Sequence, residues 1–114
     1  MMQDGDFWLA VDNLIASSEL YIDRPRGSVH PRHSDIVYPL DYGYLARTTA
    51  NDGDGIDVWV GSLSQKTLTA VIYTVDLAKR DMEVKLLLGC TAEEMQMILR
   101  YHQRGSQSAM LVQR

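Results

Sequence analysis

Cysteine occurs once in these 114 residues, at Cys90, so no internal disulfide can form. No apolar run approaches the roughly 18 residues that a membrane helix needs, and no signal-peptide pattern is visible. These absences make a reducing cytoplasm the expected compartment and leave a membrane role unsupported. Positive charge is scarce as well. Eleven Lys and Arg stand against fifteen Asp and Glu, for a net charge of −4 and a pI near 5.2. Such a balance disfavours non-specific attraction to nucleic acid or anionic lipid, so any surface that grips an anion must be local. The length leaves no room for a second core, and residues 1–114 read as a single domain. With 46% hydrophobic and 23% charged residues, the chain can bury a core and is not a disordered segment.

Phe7, Trp8, Val11, Leu14 and Ile15 recur at helical spacing behind Asp4 and Asp6, either of which can cap the helix; this predicts a helix over about residues 6–17. Alternation over residues 19–23 predicts a short strand that Pro25 and Gly27 terminate. Residues 24–35 mix loop formers with basic side chains and read as a surface loop. Residues 56–60, 67–75 and 84–88 carry the β-branched and aromatic enrichment of strands. A polar connection over residues 76–81 suits a hairpin or a longer loop. Thr91 with Glu94 three residues later is a capping box, and Met95, Ile98, Leu99 and His102 then share one face of a helix over about 92–103. Residues 109–112 read as a further strand. Trp8 and Trp59 fall in periodic segments and belong to the core, and Cys90, after an apolar stretch, reads as a structural thiol. Strands in the middle and helices at both ends give an α+β class: a small, mainly antiparallel barrel, closed or partly open.

Chemistry concentrates at Asn51-Asp-Gly-Asp-Gly-Ile-Asp57, where three carboxylates fall within six residues at the entry to a strand. Extended, Asp52 and Asp54 would share a face about 6.6 Å apart and repel by roughly 2.5 kcal/mol at an effective dielectric of 20. Glycines at 53 and 55 let the backbone bend until Asp57 meets them, and three converging carboxylates favour a hard cation such as Mg²⁺, Mn²⁺ or Ca²⁺. An EF-hand does not fit, because Ile56 and Leu63 fall where that loop needs oxygen donors. A solvated Asp-Gly turn is the plainer reading. Upstream, Tyr38, Tyr42 and Tyr44 could be barrel-wall residues, with Pro39 and Gly43 marking a turn, or could donate hydroxyls to phosphoryl oxygens. Arg24, Arg26, Arg32, Arg47 and Lys85 form the basic inventory, since guanidinium and ammonium groups bind phosphate. His30 and His33 lie in the basic loop and are read as solvated.

The run Tyr38-Pro-Leu-Asp-Tyr-Gly-Tyr44 followed by Asp52-Gly-Asp-Gly-Ile-Asp57 resembles the paired motifs of the soluble family I inorganic pyrophosphatases. The family's aspartate signature is Asp-x-Asp-Pro-hydrophobic-Asp, so Gly55 stands where proline is usual. Asp23-Arg-Pro-Arg-Gly-Ser28 is similar to the family's Glu-Ile-Pro-x-Gly-Ser segment, with aspartate replacing glutamate. The resemblance implies a five-stranded barrel of the OB type that hydrolyses pyrophosphate to two phosphates with Mg²⁺ and commonly forms homo-oligomers. It further implies that Asp52 and Asp57 bind metal, that Asp54 is general base or metal ligand for the attacking water, and that Tyr42 holds a phosphate. Asp76 and Asp81, five apart, would complete the metal shell, and Lys85 lies near the place of a phosphate-binding lysine. The hairpin that normally separates the early acidic residue from the tyrosine motif is missing, and Arg32 is the candidate by position for the arginine it carries. No Tyr-Lys pair stands in the last helix, where His102 and Arg104 are the polar groups.

Two functions follow from these readings: a Mg²⁺-dependent phosphoanhydride hydrolase, or a barrel that keeps the fold and serves as a binding module. Single-stranded nucleic-acid binding, open to any OB-type barrel, lacks the basic groove it needs.

Overall fold

Alternation along the strands decides how this chain layers. The computed structural model describes residues 4–114. Helix α1 (Asp4–Ala16) precedes β1 (Leu20–Arg24), β2 (Asp41–Leu45), β3 (Ile56–Val60), β4 (Leu68–Asp76) and β5 (Asp81–Leu88); α2 (Ala92–Tyr101) leads into β6 (Gln107–Gln113). The six strands form one sheet in the order β1-β2-β3-β5-β4-β6. Every neighbouring pair is antiparallel except β3 and β5, which run parallel.

One face of the sheet buries Trp59, Ala70, Ile72 and Leu87 against Met95 and Ile98 of α2, with Tyr38 and Leu40 filling the side. The other face buries Leu45, Val58, Val71, Leu86 and Leu88 against Trp8, Val11 and Ile15 of α1. Complete burial of a side chain such as Leu87 or Ile98 stabilises the fold by roughly 1.5–3 kcal/mol. The expected helical stripe on α1 is thus narrower than its spacing suggested: Phe7 and Leu14 stay largely exposed. Asp12 of α1 accepts both terminal guanidinium nitrogens of Arg114, at 2.7 and 2.6 Å, which ties the helix to the end of β6.

The capping box at α2 forms as expected. Thr91 Oγ1 accepts from the Glu94 backbone N–H at 3.1 Å, and Glu94 Oε1 accepts from the Thr91 N–H at 2.9 Å. The same carboxylate accepts from the Ser62 N–H, so the cap also fastens α2 to the segment leaving β3. No described helix is long and apolar enough to cross a membrane.

The sheet is open, with β1 and β6 as its edges among the described residues, which is the partly open form of the expected barrel. Three expectations are corrected. The sheet has six strands where the resemblance implied five. Strand β5 begins at Asp81, ahead of the expected residue 84, because the hairpin closes tightly over residues 77–80, with Arg80 in the left-handed region at φ 58°. The segment around Gly43 is not a turn but the middle of β2. A Cβ added at Gly43 would lie 1.8 Å from the Tyr21 carbonyl oxygen and 2.9 Å from the Ile22 Cα, so β1 and β2 approach too closely for any side chain at that position.

This close approach yields a direct expectation. Gly43→Ala must push β1 off the sheet edge and should lower the unfolding free energy by at least about 2 kcal/mol in urea titration. Gly5→Ala, where nothing lies within 4 Å, is the control and should leave stability unchanged or slightly higher. Equal stabilities for the two variants would contradict the packing.

Candidate functional site

Where α2 stops covering the sheet, the residues on that face turn from apolar to charged. On β3 the positions run from Trp59 to Asp57, on β5 from Leu87 through Lys85 to Glu83, and on β4 from Ile72 through Thr74 to Asp76. The result is a cleft of about 850 Å³.

Lys85 is its floor. The residue is only 5% exposed, yet its ammonium donates to Asp57 Oδ2 at 2.7 Å, to the Tyr42 hydroxyl at 2.8 Å and to Glu83 Oε2 at 3.3 Å. Burial alone would lower the Lys85 pKa, but the facing Tyr42 and Asp57 oxygens outweigh it and the net shift is upward, so the group stays an ammonium. Burial drives the Tyr42 hydroxyl strongly upward, with the Asp57 charge adding to the effect, and it stays protonated. Glu83 is also pushed up, by burial first and then by the carboxylates of Asp57 and Asp52 beside it.

The aspartate loop enters from β2. Thr48 Oγ1 accepts from the Ile56 N–H at 2.9 Å and donates to the Leu45 carbonyl at 2.7 Å, closing the loop at its base. Inside it Asp52 Oδ1 accepts from the Asp54 N–H at 3.0 Å, an Asx turn that leaves the Asp54 carboxylate exposed at the cleft. A Cβ at Gly55 would come within 2.8 Å of the Leu45 carbonyl oxygen and 2.9 Å of Tyr44 Cδ2. Glycine here, in place of the resembled family's proline, lets the loop lie flat against the end of β2.

Arg24 reaches the cleft through a β-bulge. The β1–β2 register passes from Ile22 opposite Gly43 to Arg24 opposite Tyr42, so Asp23 is the extra residue and Arg24 emerges on the face of Tyr42. The loop expected over residues 24–35 folds back on itself with the residues that follow: Gly27 N–H donates to the Tyr38 carbonyl, Tyr38 N–H to the Ser28 carbonyl, and His30 N–H to the Ile36 carbonyl, each at 2.9 Å. That fold carries His30, His33 and Asp35 to the cleft wall, with the His30 ring parallel to Tyr38 at 6.1 Å. Behind them Trp59 Nε1 donates to His102 Nε2 at 3.0 Å, and His102 Nδ1 lies 3.1 Å from Gln107 Oε1. Because indole is only a donor, Nε2 must be unprotonated and His102 a neutral imidazole. Burial pushes its pKa down to about 4.

The cleft brings together Arg24, Tyr38, Tyr42, Asp54, Asp57, Asp76 and Lys85 from the sequence-derived set. Asp52 stands beside Glu83, outside the lining. Asp76 spends Oδ1 on the N–H groups of Ala78 and Lys79 and on the Ser106 hydroxyl, which cap the β4–β5 hairpin. Asp81 is exposed at the hairpin tip and lies outside the cleft lining. Arg32 and Arg47 are exposed and do not line the cleft either; Arg47 turns away at φ 59° just after β2. The sequence reading missed Glu83, Asp35, Lys79 and Tyr101 as lining residues. Glu83 had a signal, since it lies two residues before Lys85 and so shares its face, but it was hidden by starting β5 at residue 84.

The residues that could offer donors to a cation, Asp52, Asp54, Asp57 and Glu83, supply oxygen alone. Among the described residues, no three Asp, Glu, His or Cys side chains are grouped closely enough to hold an ion by themselves.

A family model described as inorganic pyrophosphatase matches residues 18–78. The chain is 33% identical over 60 residues to the inorganic pyrophosphatase of Rhodospirillum rubrum; the match covers 46% of this chain and 34% of that protein, so the chain spans about a third of its relative. Among solved structures, the inorganic pyrophosphatase of Helicobacter pylori superposes with a TM-score of 0.60 at 15% identity, covering 87% of this chain and 86% of that one. The pyrophosphatase of Coxiella burnetii gives 0.58 at 14% identity, covering 81% of each chain. These structural likenesses confirm the fold expected from the resemblance, a partly open OB-like barrel.

The neutral His102 gives the site a pH signature. The unfolded chain takes a proton on this residue near its ordinary pKa of 6.5 and the folded chain only near 4, so between those values the unfolded state holds the extra proton. Stability should therefore fall as pH drops from 6.5 to 4, by about 3 kcal/mol from this residue, and be indifferent to it above 6.5. His102→Gln should remove that part of the slope when urea midpoints are measured from pH 4 to 7. A variant whose slope matches the wild type would contradict the assignment.

Proposed function

The chain belongs to the inorganic pyrophosphatase family, and on that premise we propose that it hydrolyses inorganic pyrophosphate, or a related phosphoanhydride, to phosphate with the help of Mg²⁺ or Mn²⁺. The observation that carries the reading is the buried Lys85 ammonium held between Tyr42 and Asp57 on the floor of a cleft whose rim bears Asp54 and Arg24. Pyrophosphate is a compact multiple anion that repels a hydroxide nucleophile, so a catalyst must both neutralise charge and supply that nucleophile.

Asp52 and Asp57, with Glu83, are the residues that would hold divalent ions, and Asp54 is kept for the attacking water. When bound, such ions offset substrate charge and make a coordinated water more acidic. The chain's own groups do the rest. Lys85 and Tyr42 present a cation and a hydroxyl to one phosphoryl group, and the Lys85–Glu83 contact, the longest of the three, is the one a phosphoryl oxygen displaces. Arg24 offers a guanidinium fork to the second phosphoryl group. Asp54, exposed on the cleft lining, accepts the proton of the attacking water as the new P–O bond forms and the bridging bond breaks. Asp76, with one oxygen committed to the hairpin, and Asp81, outside the cleft, are left out of this shell. Trp59, Tyr101 and His102 form an apolar backing that limits water behind the reacting groups. The same reading includes a cytoplasmic location and a homo-oligomeric assembly. A buried Cys90, whose thiol burial pushes up to about 12, agrees with a structural role for that residue.

One observation favours a second reading, a binding module without turnover: all three Lys85 N–H groups already have partners in the protein. Phosphate release from pyrophosphate separates the two. With Mg²⁺ present, Asp54→Asn should lower kcat by roughly 10²–10⁴-fold while leaving Mg²⁺ half-saturation nearly unchanged. Asp57→Asn should raise the half-saturating Mg²⁺ concentration at least tenfold, and chelation should abolish release in every form. Equal release rates from the wild type and Asp54→Asn would exclude the hydrolase.

A further inference from the structure

The cleft is larger than the hydrolase reading requires, and its lining carries cations beyond Lys85. At about 850 Å³ it lies in the upper part of the roughly 300–1,000 Å³ range of small-molecule sites. The carboxylates of Asp54, Asp57 and Glu83 gather around Lys85. The remaining lining brings Lys79 from the β4–β5 hairpin, Arg104 from the segment after α2, His30 and His33 from the folded-back loop, and Arg24 from the end of β1.

Two carboxylates, Asp35 and Asp76, also line this part of the cleft. Asp76 is engaged by the hairpin N–H groups and Ser106, and no ion pair joins Arg24, Lys79 or Arg104 to an acid among the described residues. Arg104 is nevertheless placed rather than loose. Its Nε donates to the Tyr101 carbonyl at 3.0 Å, and its guanidinium carbon lies 4.4 Å from the centre of the Tyr101 ring. Burial first, with the cations Arg24, Arg32 and Lys79 nearby, holds His30 below its ordinary pKa. Side chains from separate elements thus converge here, and the cations Arg24, Lys79 and Arg104 outnumber the carboxylates Asp35 and Asp76, a positive excess of the kind an anion site requires.

Tyr38 is buried and the Tyr101 ring is covered by Arg104, which leaves little for a nucleobase to stack on. The missing partner is a further phosphoryl group rather than a base. We propose that Lys79, Arg104, His30 and His33 form a distal subsite that takes an additional phosphoryl group, making the preferred ligand a linear inorganic phosphoanhydride of three or more phosphates. This rests on the hydrolase reading for the orientation of the chain of phosphates, with the reacting pair at Lys85 and the extra group at Lys79 and Arg104.

Affinity and turnover test it separately. Calorimetry on the Asp54→Asn protein with Mg²⁺ should show inorganic triphosphate binding at least tenfold more tightly than pyrophosphate. Adding Lys79→Gln and Arg104→Gln, both exposed positions outside the core, should reduce that ratio to within about twofold, and circular dichroism confirms that the variants are folded. Equal affinity for the two ligands in the parent protein, or a ratio unchanged by removing both charges, would overturn the subsite. Phosphate release by the wild type is followed in parallel. A triphosphate preference without hydrolysis of either compound removes the hydrolase and keeps the subsite as an anion-binding feature. Hydrolysis of pyrophosphate with no triphosphate preference does the reverse.

Discussion

A buried ammonium is the constraint on which the rest of this structure depends. Lys85 sits mid-sheet with its charge almost fully removed from water, and such a group is tolerable only when hydrogen-bonded and compensated. Asp57 on β3 and Tyr42 on β2 supply that compensation, so three strands that are remote in sequence are locked into one register by a single cation. Removing one partner of a buried pair of this kind typically costs about 3–5 kcal/mol, because the other charge is left behind. The partial exposure of Asp57 reduces that figure here, since solvent can reach the abandoned lysine. Neither strand pairing nor the hydrophobic cores alone require a lysine at this point, which is why the arrangement reads as a site.

The same face of the sheet makes both the core and the cleft. Helix α2 lies over Trp59, Ile72 and Leu87 and ends at Tyr101; beyond it the same-face positions become Asp57, Asp76, Lys85 and Glu83. A short helix therefore sets the boundary between apolar packing and polar chemistry. The Trp59–His102 hydrogen bond lies on that boundary and satisfies a buried indole N–H and a buried imidazole at once. Rigid strands holding the charged groups, with a folded-back loop and a hairpin supplying the walls, are a suitable basis for aligning phosphoryl oxygens.

Much of this was legible in the sequence because it rests on local signals. The capping box at Thr91, the β-branched runs of β3 and β4 and the aspartate cluster each carry their physics within a few residues. What was not legible depends on contacts between distant segments. Gly43 looks like a turn residue until β1 is laid beside it, when the Tyr21 carbonyl explains its lack of a side chain. Arg24 enters the cleft only because Asp23 is bulged, and a bulge leaves no mark on composition. Asp81 and Arg47 have the right chemistry for the site, but a tight hairpin tip and a left-handed turn carry them outside the cleft lining. Glu83 shows the opposite failure: its alternation with Lys85 was readable, and only the misplaced start of β5 concealed it.

The state of Lys85 is accessible to direct measurement. Nitrogen-detected NMR of its ammonium group, followed through a pH titration with and without Mg²⁺ and pyrophosphate, tests whether this buried cation is both held by the fold and used for the ligand. The account predicts that the group remains protonated above its ordinary pKa of 10.5 and that its signal moves when pyrophosphate is added. Deprotonation below 10.5, or a signal insensitive to pyrophosphate, would contradict it.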